Sequence, residues 1–466
     1  MRVEFFSDRV SPESVMTVSK TAASISASTF NFYGTAATNV AIAGLGVVTS
    51  IVAARLLGPT GRGELAAILN WPAFFTSLGA FGVMNAAGYY CGRYPSQVGR
   101  TFGSAWVFLL LISIPVMVGG YWLMPWMMRA QSASTVEASR IMLLLVLVQL
   151  VGGLPYWVLQ GLGKFNIWNA MRLQMPFVWL IVLAVAAYVS PYSAAFVAFG
   201  YLAGMVIHNL VWNFVMFHNV AVRFQADPGR LRELLQYGLP SVLGSVPNQL
   251  NQRLDQLLIM AMLPAKMLGF YVVAVVWSDA FHPLMSAVAQ IIFPRLASVH
   301  DRHLQAEILQ RSLRVCVTAA CVLTIILFAF TPFGLTLIFG STFAPSVPVA
   351  LVLVFAGGIS SLKLVAGEAL RGMGLPRHSM FSEFVGFGVG VPLLLVLLPR
   401  YQLTGVAFAS LGGCLSALVA SLILISRWTE CPLCSFILPR RQDIRYVWSQ
   451  LPEFKRWKAL LLEMVK

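Results

Sequence analysis

The chain consists of long apolar runs separated by short polar breaks. About twelve runs stand out, near 34–56, 64–91, 101–126, 139–161, 167–188, 193–218, 237–263, 267–293, 312–338, 345–370, 379–399 and 403–427. Each is long enough for the roughly 20 apolar residues that a helix needs to cross hydrocarbon. The pattern predicts an all-α polytopic membrane protein. Its connections are short, and the longest interior ones, 219–236 and 294–311, read as amphipathic. In the first of these, Asp227 is placed to cap a helix with Pro228 at its first position.

Local patterns recur at nearly the same spacing. Leu159-Gln160-Gly161-Leu162-Gly163 returns as Leu370-Arg371-Gly372-Met373-Gly374, 211 residues on. Tyr33-Gly34 returns as Tyr237-Gly238, 204 on, and Pro59 to Gly63 as Pro264 to Gly269, 205 to 206 on. Ser193-Ala194 returns as Thr404-Gly405, again 211 on. Four matches in one order predict two copies of one half, with six runs in each. An even number of crossings returns the chain to its starting side, so the copies are parallel. Repeats of this kind mark transporters with a site between the halves. The expected divisions are a cytoplasmic segment 1–30, a six-helix bundle 31–218, a cytoplasmic linker 219–236, a second bundle 237–427 and a basic cytoplasmic tail 428–466. The tail ends in a basic stretch with apolar residues, suited either to lying on the inner membrane surface or to standing as a solvated tail.

Composition agrees. The chain is 58% hydrophobic and 11% charged, with mean hydropathy +0.78, whereas a soluble domain has roughly 25% charged residues. The net charge of +15 would suggest nucleic acid in a soluble protein. Here the positive-inside rule accounts for it, and no nucleic-acid partner is expected. Of the 32 Lys and Arg, Arg253 and Lys363 fall inside helices; with both termini cytoplasmic, 24 lie inside and six outside. A basic inner face favours anionic membrane lipids. Residues 1–30 lack a compact apolar run before a small-residue cleavage site, so the first helix is expected to be retained. Cys431-Pro432-Leu433-Cys434 is a lone C-x-x-C with no second pair to complete a zinc site, and no cofactor is expected. No G-x-S-x-G, H-E-x-x-H or Walker pattern occurs, and no outer loop is large enough for catalytic groups. An enzyme is not expected.

Ionisable residues inside a membrane helix cost at least about 2.5–3.5 kcal/mol and are functional candidates. The richest run is the seventh. There Asn248, Asn251, Gln252 and Asp255 fall on one helical stripe, with Gln249, Arg253 and Gln256 beside it. Arg253 carries a planar fork of donors suited to phosphate; the plainer reading is a structural ion pair. Asp279 and His282, three apart in the eighth run, are candidates for proton coupling. Lys363 lies mid-helix in the tenth, while Glu368 and Glu383 fall nearer helix ends. The first half offers Asn39, Asn70, Asn85, Gln149, Gln160 and Asn213, residue types that usually hold helices together. Arg172 shares a stripe with Asn169 near a cytoplasmic end, and Arg55 and Arg62 flank a Gly-Pro turn at an outer end. Arg55 is expected either to snorkel outward or to point into the outer mouth.

The run Ala54-Arg55-Leu56-Leu57-Gly58-Pro59-Thr60-Gly61-Arg62-Gly63-Glu64 resembles the first hairpin of bacterial polysaccharide and O-antigen flippases. Arg253-Leu254-Asp255-Gln256-Leu257-Leu258-Ile259 followed by Leu268-Gly269-Phe270-Tyr271-Val272-Val273-Ala274 is similar to the matching hairpin of their second half. Phe293-Pro294-Arg295-Leu296-Ala297 and Leu370-Arg371-Gly372-Met373-Gly374-Leu375-Pro376 also fit. The resemblance covers about residues 30–427 and points to the multidrug/oligosaccharidyl-lipid/polysaccharide exporter superfamily. It implies a MATE-like fold in the bacterial inner membrane. It also implies movement of an undecaprenyl-diphosphate-linked repeat unit to the outer leaflet by alternating access, for lipopolysaccharide or exopolysaccharide. A glycan polymerase and co-polymerase are the implied protein partners.

On the residues alone, the expected substrate-binding set is Arg253, Lys363, Arg172, Asn248, Asn251, Asp255 and Arg55, lining a net basic cavity. Two alternatives stand beside this reading. One is a cation-coupled multidrug exporter, which calls for an acidic cavity. The other is a non-transport scaffold of a glycan-synthesis complex.

Overall fold

The computed structural model describes residues 12–438 apart from 191–192, 221–222, 252, 281 and 300. Side chains are described from Gly34 on, apart from 36, 241, 243–252, 281, 291, 294 and 300. Residues 1–11 and the basic stretch of the tail lie outside the described residues. The helices are α1 (Pro12–Gly79), α2 (Val83–Arg93), α3 (Val98–Met127), α4 (Ala133–Ile141), α5 (Leu144–Gly152), α6 (Leu154–Gly161), α7 (Phe165–Val189), α8 (Ala194–Asn219), α9 (Pro228–Asn251), α10 (Leu254–Met262), α11 (Ala265–Ser278), α12 (His282–Ala297), α13 (Arg302–Phe339), α14 (Val347–Gly372), α15 (Pro376–Thr429) and α16 (Cys434–Ile437). No strand occurs among the described residues.

Two of these helices are broken where the sequence changes register. In α1 the break is Gly58, with φ 64° and ψ −177°, a conformation open to glycine alone. Pro59 follows and brings no backbone N–H. In α15 the break is Gln402, with φ 50°. The chain reverses there: a methyl on Gly386 would lie 2.8 Å from the Ala417 Cβ. A straight helix would hold those residues about 46 Å apart. Among the described residues, eight helices are long and apolar enough to cross a bilayer, and α11 with α12, bent by 48°, makes a ninth. Two of the eight, α1 and α15, are broken at Gly58 and Gln402 and hold two arms each, so length and apolarity do not by themselves confirm the count of twelve. The run 237–263 fails because it is polar and broken, α9 ending before α10 begins.

The repeated Leu-x-Gly-x-Gly is a pair of identical helix ends. Gly163 and Gly374 both have positive φ, 68° and 79°. In one copy Lys164 N donates to Leu159 O at 3.0 Å and Gly163 N to Gln160 O at 3.1 Å; in the other, Leu375 N donates to Leu370 O at 2.9 Å and Gly374 N to Arg371 O at 3.0 Å. This is a left-handed C-cap closing the last turn. Gly161 then packs on the Gly88 backbone, and Gly372 on that of Phe293.

The halves meet most closely at the Gly58 end, and they do so reciprocally. A methyl on Gly63 would overlap the Ala265 carbonyl, and one on Gly269 would overlap that of Pro59. Arg55 Nη2 and Nε donate to Leu337 O and Ile338 O, at 2.6 and 2.8 Å, on the last turn of α13. Gln131 Nε2 donates to Met260 O and Leu263 O, at 2.8 and 2.9 Å, at the end of α10. Met260 stands 205 residues on from Arg55, and Leu337 stands 206 on from Gln131. The two latches join equivalent places of the two halves, with the donors in both supplied by the first half. Each supplies donors to carbonyls that a helix end leaves bare.

The other end is asymmetric. There α2 is joined to α9: Tyr89 stacks on Tyr237 at 4.5 Å, and Gly82 touches Gly238. Gly34, the counterpart of Gly238, has nothing among the described residues within 4 Å where a side chain would go. The linker forms part of the joined seam. Asp227 caps α9 as its sequence suggests, accepting from Gly229 N at 3.0 Å and Arg230 N at 3.1 Å. The helix begins earlier than the expected linker boundary and runs straight into the seventh run. The Gly229 and Arg230 amides and the Arg100 guanidinium hold the Asp227 carboxyl below its usual range. A depressed carboxyl contributes its order above the unfolded value, near 4, and loses it as pH falls through the folded value. Asp227→Ala should therefore lower the protection of the Gly229 and Arg230 amides against hydrogen exchange at neutral pH, and acidification should lower that protection in the parent, relative to the intrinsic rate, only below about pH 4.

Candidate functional site

A cavity of about 550 Å³ opens in the second half, walled by α10, α11, α14 and α15, with Asn70 of α1 as its contribution from the first half. It gathers five of the sequence candidates: Arg253, Asp255, Asp279, His282 and Lys363. Two helix breaks of the second half fall on its wall. Arg253, at φ −131° and ψ −21°, ends the gap between α9 and α10. Asp279 ends α11, and His282 opens α12 with its N–H on the Asp279 carbonyl at 3.0 Å. Broken helices are tolerated at membrane depth where they line a cavity. The continuous stripe expected from Asn248 to Asp255 is thus interrupted at Arg253, and the stripe from Asp279 to His282 is bent. The side chains of Asn248, Asn251, Gln249 and Gln252 lie outside the described residues.

Most of the cavity's charge is already engaged. Asp255 Oδ2 accepts from the Tyr271 hydroxyl at 2.5 Å, and Oδ1 from Gln256 N at 2.7 Å. Gln256 Oε1 accepts from Asn70 Nδ2 at 2.8 Å, tying the two halves together beside the cavity. Lys363 Nζ stands 2.9 Å from Glu383 Oε2, and both side chains are mostly buried. Counting Glu383, three carboxylates face two permanent cations, so the expected net basic cavity does not hold. What remains uncommitted is specific. Among the described residues Arg253 has no hydrogen-bond or ion-pair partner, and Asp279 has only the neighbouring His282. Among the described residues no three of His, Cys, Asp and Glu converge on one point.

Glu383 and Tyr271 are the partners that composition and stripe patterns missed. A depth count finds them. Lys363 lies nine residues before the end of α14 and Glu383 seven after the start of α15. Asp255 lies seven before the end of α10 and Tyr271 six after the start of α11. Helices joined by a short turn bring such positions level. Lys363→Met should lower the heat-inactivation midpoint, costing about 2 kcal/mol by stranding Glu383. Lys363→Met with Glu383→Leu should recover most of the loss, since an apolar pair replaces a buried ion pair at little cost.

Two candidates lie elsewhere. Arg172 sits on the seam of α1 and α7, donating to Asn39 Oδ1 at 2.5 Å with its guanidinium 4.3 Å from the Trp168 ring. Asn169, on the same stripe, donates to Thr35 Oγ1 at 3.1 Å. Arg55 neither snorkels nor enters a mouth but caps α13, as described above.

A family profile described as "Polysaccharide biosynthesis protein" matches residues 30–300. No curated protein sequence matches the chain. Among solved structures, the inward closed conformation of the lipid II flippase MurJ is 11% identical, with TM-score 0.70 over 87% of this chain and 89% of that one. An inward-facing multidrug resistance MATE family transporter of the MOP superfamily is 12% identical, with TM-score 0.66 over 85% of this chain and 99% of that one. An outward-facing MATE family transporter of the same superfamily is 14% identical, with TM-score 0.56 over 86% and 96%. At these identities the likeness is one of fold.

Proposed function

The chain belongs to the polysaccharide biosynthesis protein family, and from that premise we propose that it is a secondary flippase for a lipid-linked oligosaccharide. The observation that carries the reading is the Arg253 guanidinium, unpartnered among the described residues, at a helix break in a cavity whose other cation is neutralised. A guanidinium so placed offers its fork to a diphosphate. Asn70 and Gln256 supply amides for hydroxyls, and Asp279 with His282 supply groups able to exchange a proton as the cavity changes exposure. The flank of α1 at Gly34, open among the described residues, suits a lipid tail that stays in the bilayer while its head group enters. The basic segments support a cytoplasmic position for the Gly161 and Gly372 end. The paired latches at the Gly58 end then close the outer side, which fits the higher similarity to inward-facing than to outward-facing structures.

A cation-coupled multidrug exporter is the second reading, favoured by Asp255, Asp279 and Glu383 around the cavity and by the shared MATE fold. One experiment separates the two. Cells lacking the protein are extracted for lipid-linked sugars and, in parallel, tested for efflux of cationic dyes. The flippase reading expects undecaprenyl-diphosphate-linked glycan to accumulate with dye efflux unchanged. Normal glycan export with lost efflux overturns it.

A further inference from the structure

A second concave surface, about 560 Å³ in volume, lies between α2 and α6 at the Gly161 end. Its floor is bare backbone. Gly88, Gly92 and Gly161 let the two helices touch, and a methyl on Gly161 would overlap the Gly88 carbonyl. Its sides are Tyr89 and Trp157, and its rim is Asn85, Gln160 and Arg93. Asn85, Tyr89, Gly92 and Arg93 repeat at helical spacing, forming one face of α2. Such a face cannot meet hydrocarbon without a large cost. Tyr89 stacks on Tyr237 of α9, so this face borders the seam between the halves.

The chemistry on this face is that of sugar recognition. A pyranose ring has a C–H face that packs on aromatic rings and a rim of hydroxyls that bond to planar amides. Both parts are present. The Asn85 and Gln160 amides are exposed and have no partner among the described residues. Tyr89 is held in place by Tyr237 on its ring and by Arg93 Nη1, which donates to its hydroxyl at 2.7 Å. Trp157 continues into a row of rings, with Tyr156 at 5.2 Å and Trp168 at 5.4 Å from Tyr156, ending at Arg172 over Trp168. Arg172 thus ends this row, while Arg93 lies against Tyr89 on the other side of the groove.

We propose that the α2–α6 groove binds sugar rings of the glycan, as a subsite separate from the Arg253 cavity; this rests on the flippase reading. The distance between the two sites sets the ligand. Tyr237, at the groove's edge, and Arg253, on the cavity wall, are 16 residues apart along α9 and the break after it. That is at most about 24 Å at 1.5 Å per residue, because the helix breaks at Arg253. A separation of that order suits an extended oligosaccharide on its diphosphate better than a lipid diphosphate with one sugar.

The test uses the full-length protein in nanodiscs with two probes: undecaprenyl diphosphate, and the lipid-linked glycan extracted from cells lacking the protein. Trp157→Ala is expected to weaken binding of the glycan-bearing lipid about tenfold, the loss of one aromatic face, and to leave undecaprenyl diphosphate unaffected. Gln160→Ala, at an exposed position that leaves the fold alone, is expected to shift binding in the same selective way by a smaller factor. Equal weakening of both probes, or no effect from either variant, overturns the groove. Wild-type protein that binds neither probe overturns the flippase reading instead.

Discussion

Replacing Arg253 by glutamine should weaken binding of undecaprenyl diphosphate about ten- to a hundredfold, the worth of a charge-assisted bond to phosphate. The same change should leave cells accumulating lipid-linked glycan. Arg253 has no partner among the described residues, so its removal strands nothing within the protein and folding should survive. That separates it from Lys363, whose loss leaves Glu383 unpaired. Arg253→Lys should restore only part of the binding, because an ammonium lacks the planar fork that meets two phosphate oxygens at once. A variant that binds the lipid normally would assign Arg253 to structure. Titrating the binding across pH would then show whether Asp279 and His282 alone govern the cavity.

Gly63→Val should stop transport altogether. The position has no room for a side chain, because the obstruction is the Ala265 carbonyl and the Gly269 backbone rather than a flexible group. Backbone cannot be repacked around an added methyl at low cost. The halves would be pushed apart at the Gly58 end, straining the latches of Arg55 and Gln131. Cys414, on the cavity wall, supplies a native reporter. With the other cysteines replaced, a membrane-impermeant thiol reagent applied outside should label Cys414 faster in Gly63→Val than in the parent. Unchanged labelling together with normal transport would remove the Gly63–Gly269 crossing from the gate.

The repeat was legible because its signal is backbone chemistry. Gly163 and Gly374 must take positive φ to end their helices, and few other residues do so at low cost. The cavity set was legible because charge inside apolar runs is expensive and therefore conspicuous. Pairing was not legible from stripe patterns, since Lys363 and Glu383 belong to different helices and meet only when depth is counted from the turn between them. The break at Arg253 has no adjacent proline or glycine to mark it, and although Pro283 opens α12 just after the break at Asp279, hydropathy reads straight through both. Arg55 was misjudged for a further reason. Its partners are the carbonyls of Leu337 and Ile338, and a backbone acceptor leaves no trace in the choice of side chain. Arg172 was read with Asn169 but without Asn39, which reaches it from another helix.

The central claim is that the Arg253 cavity carries a lipid-linked glycan across the bilayer. Purified protein in liposomes containing a fluorescent undecaprenyl-diphosphate-linked glycan, with the outer leaflet read by a membrane-impermeant quencher, measures that step without polymerase or cell. The expected result is rapid exchange of the label between leaflets with wild-type protein and exchange near the rate of empty liposomes with Arg253→Gln. Wild-type protein that moves the glycan no faster than empty liposomes would contradict the account.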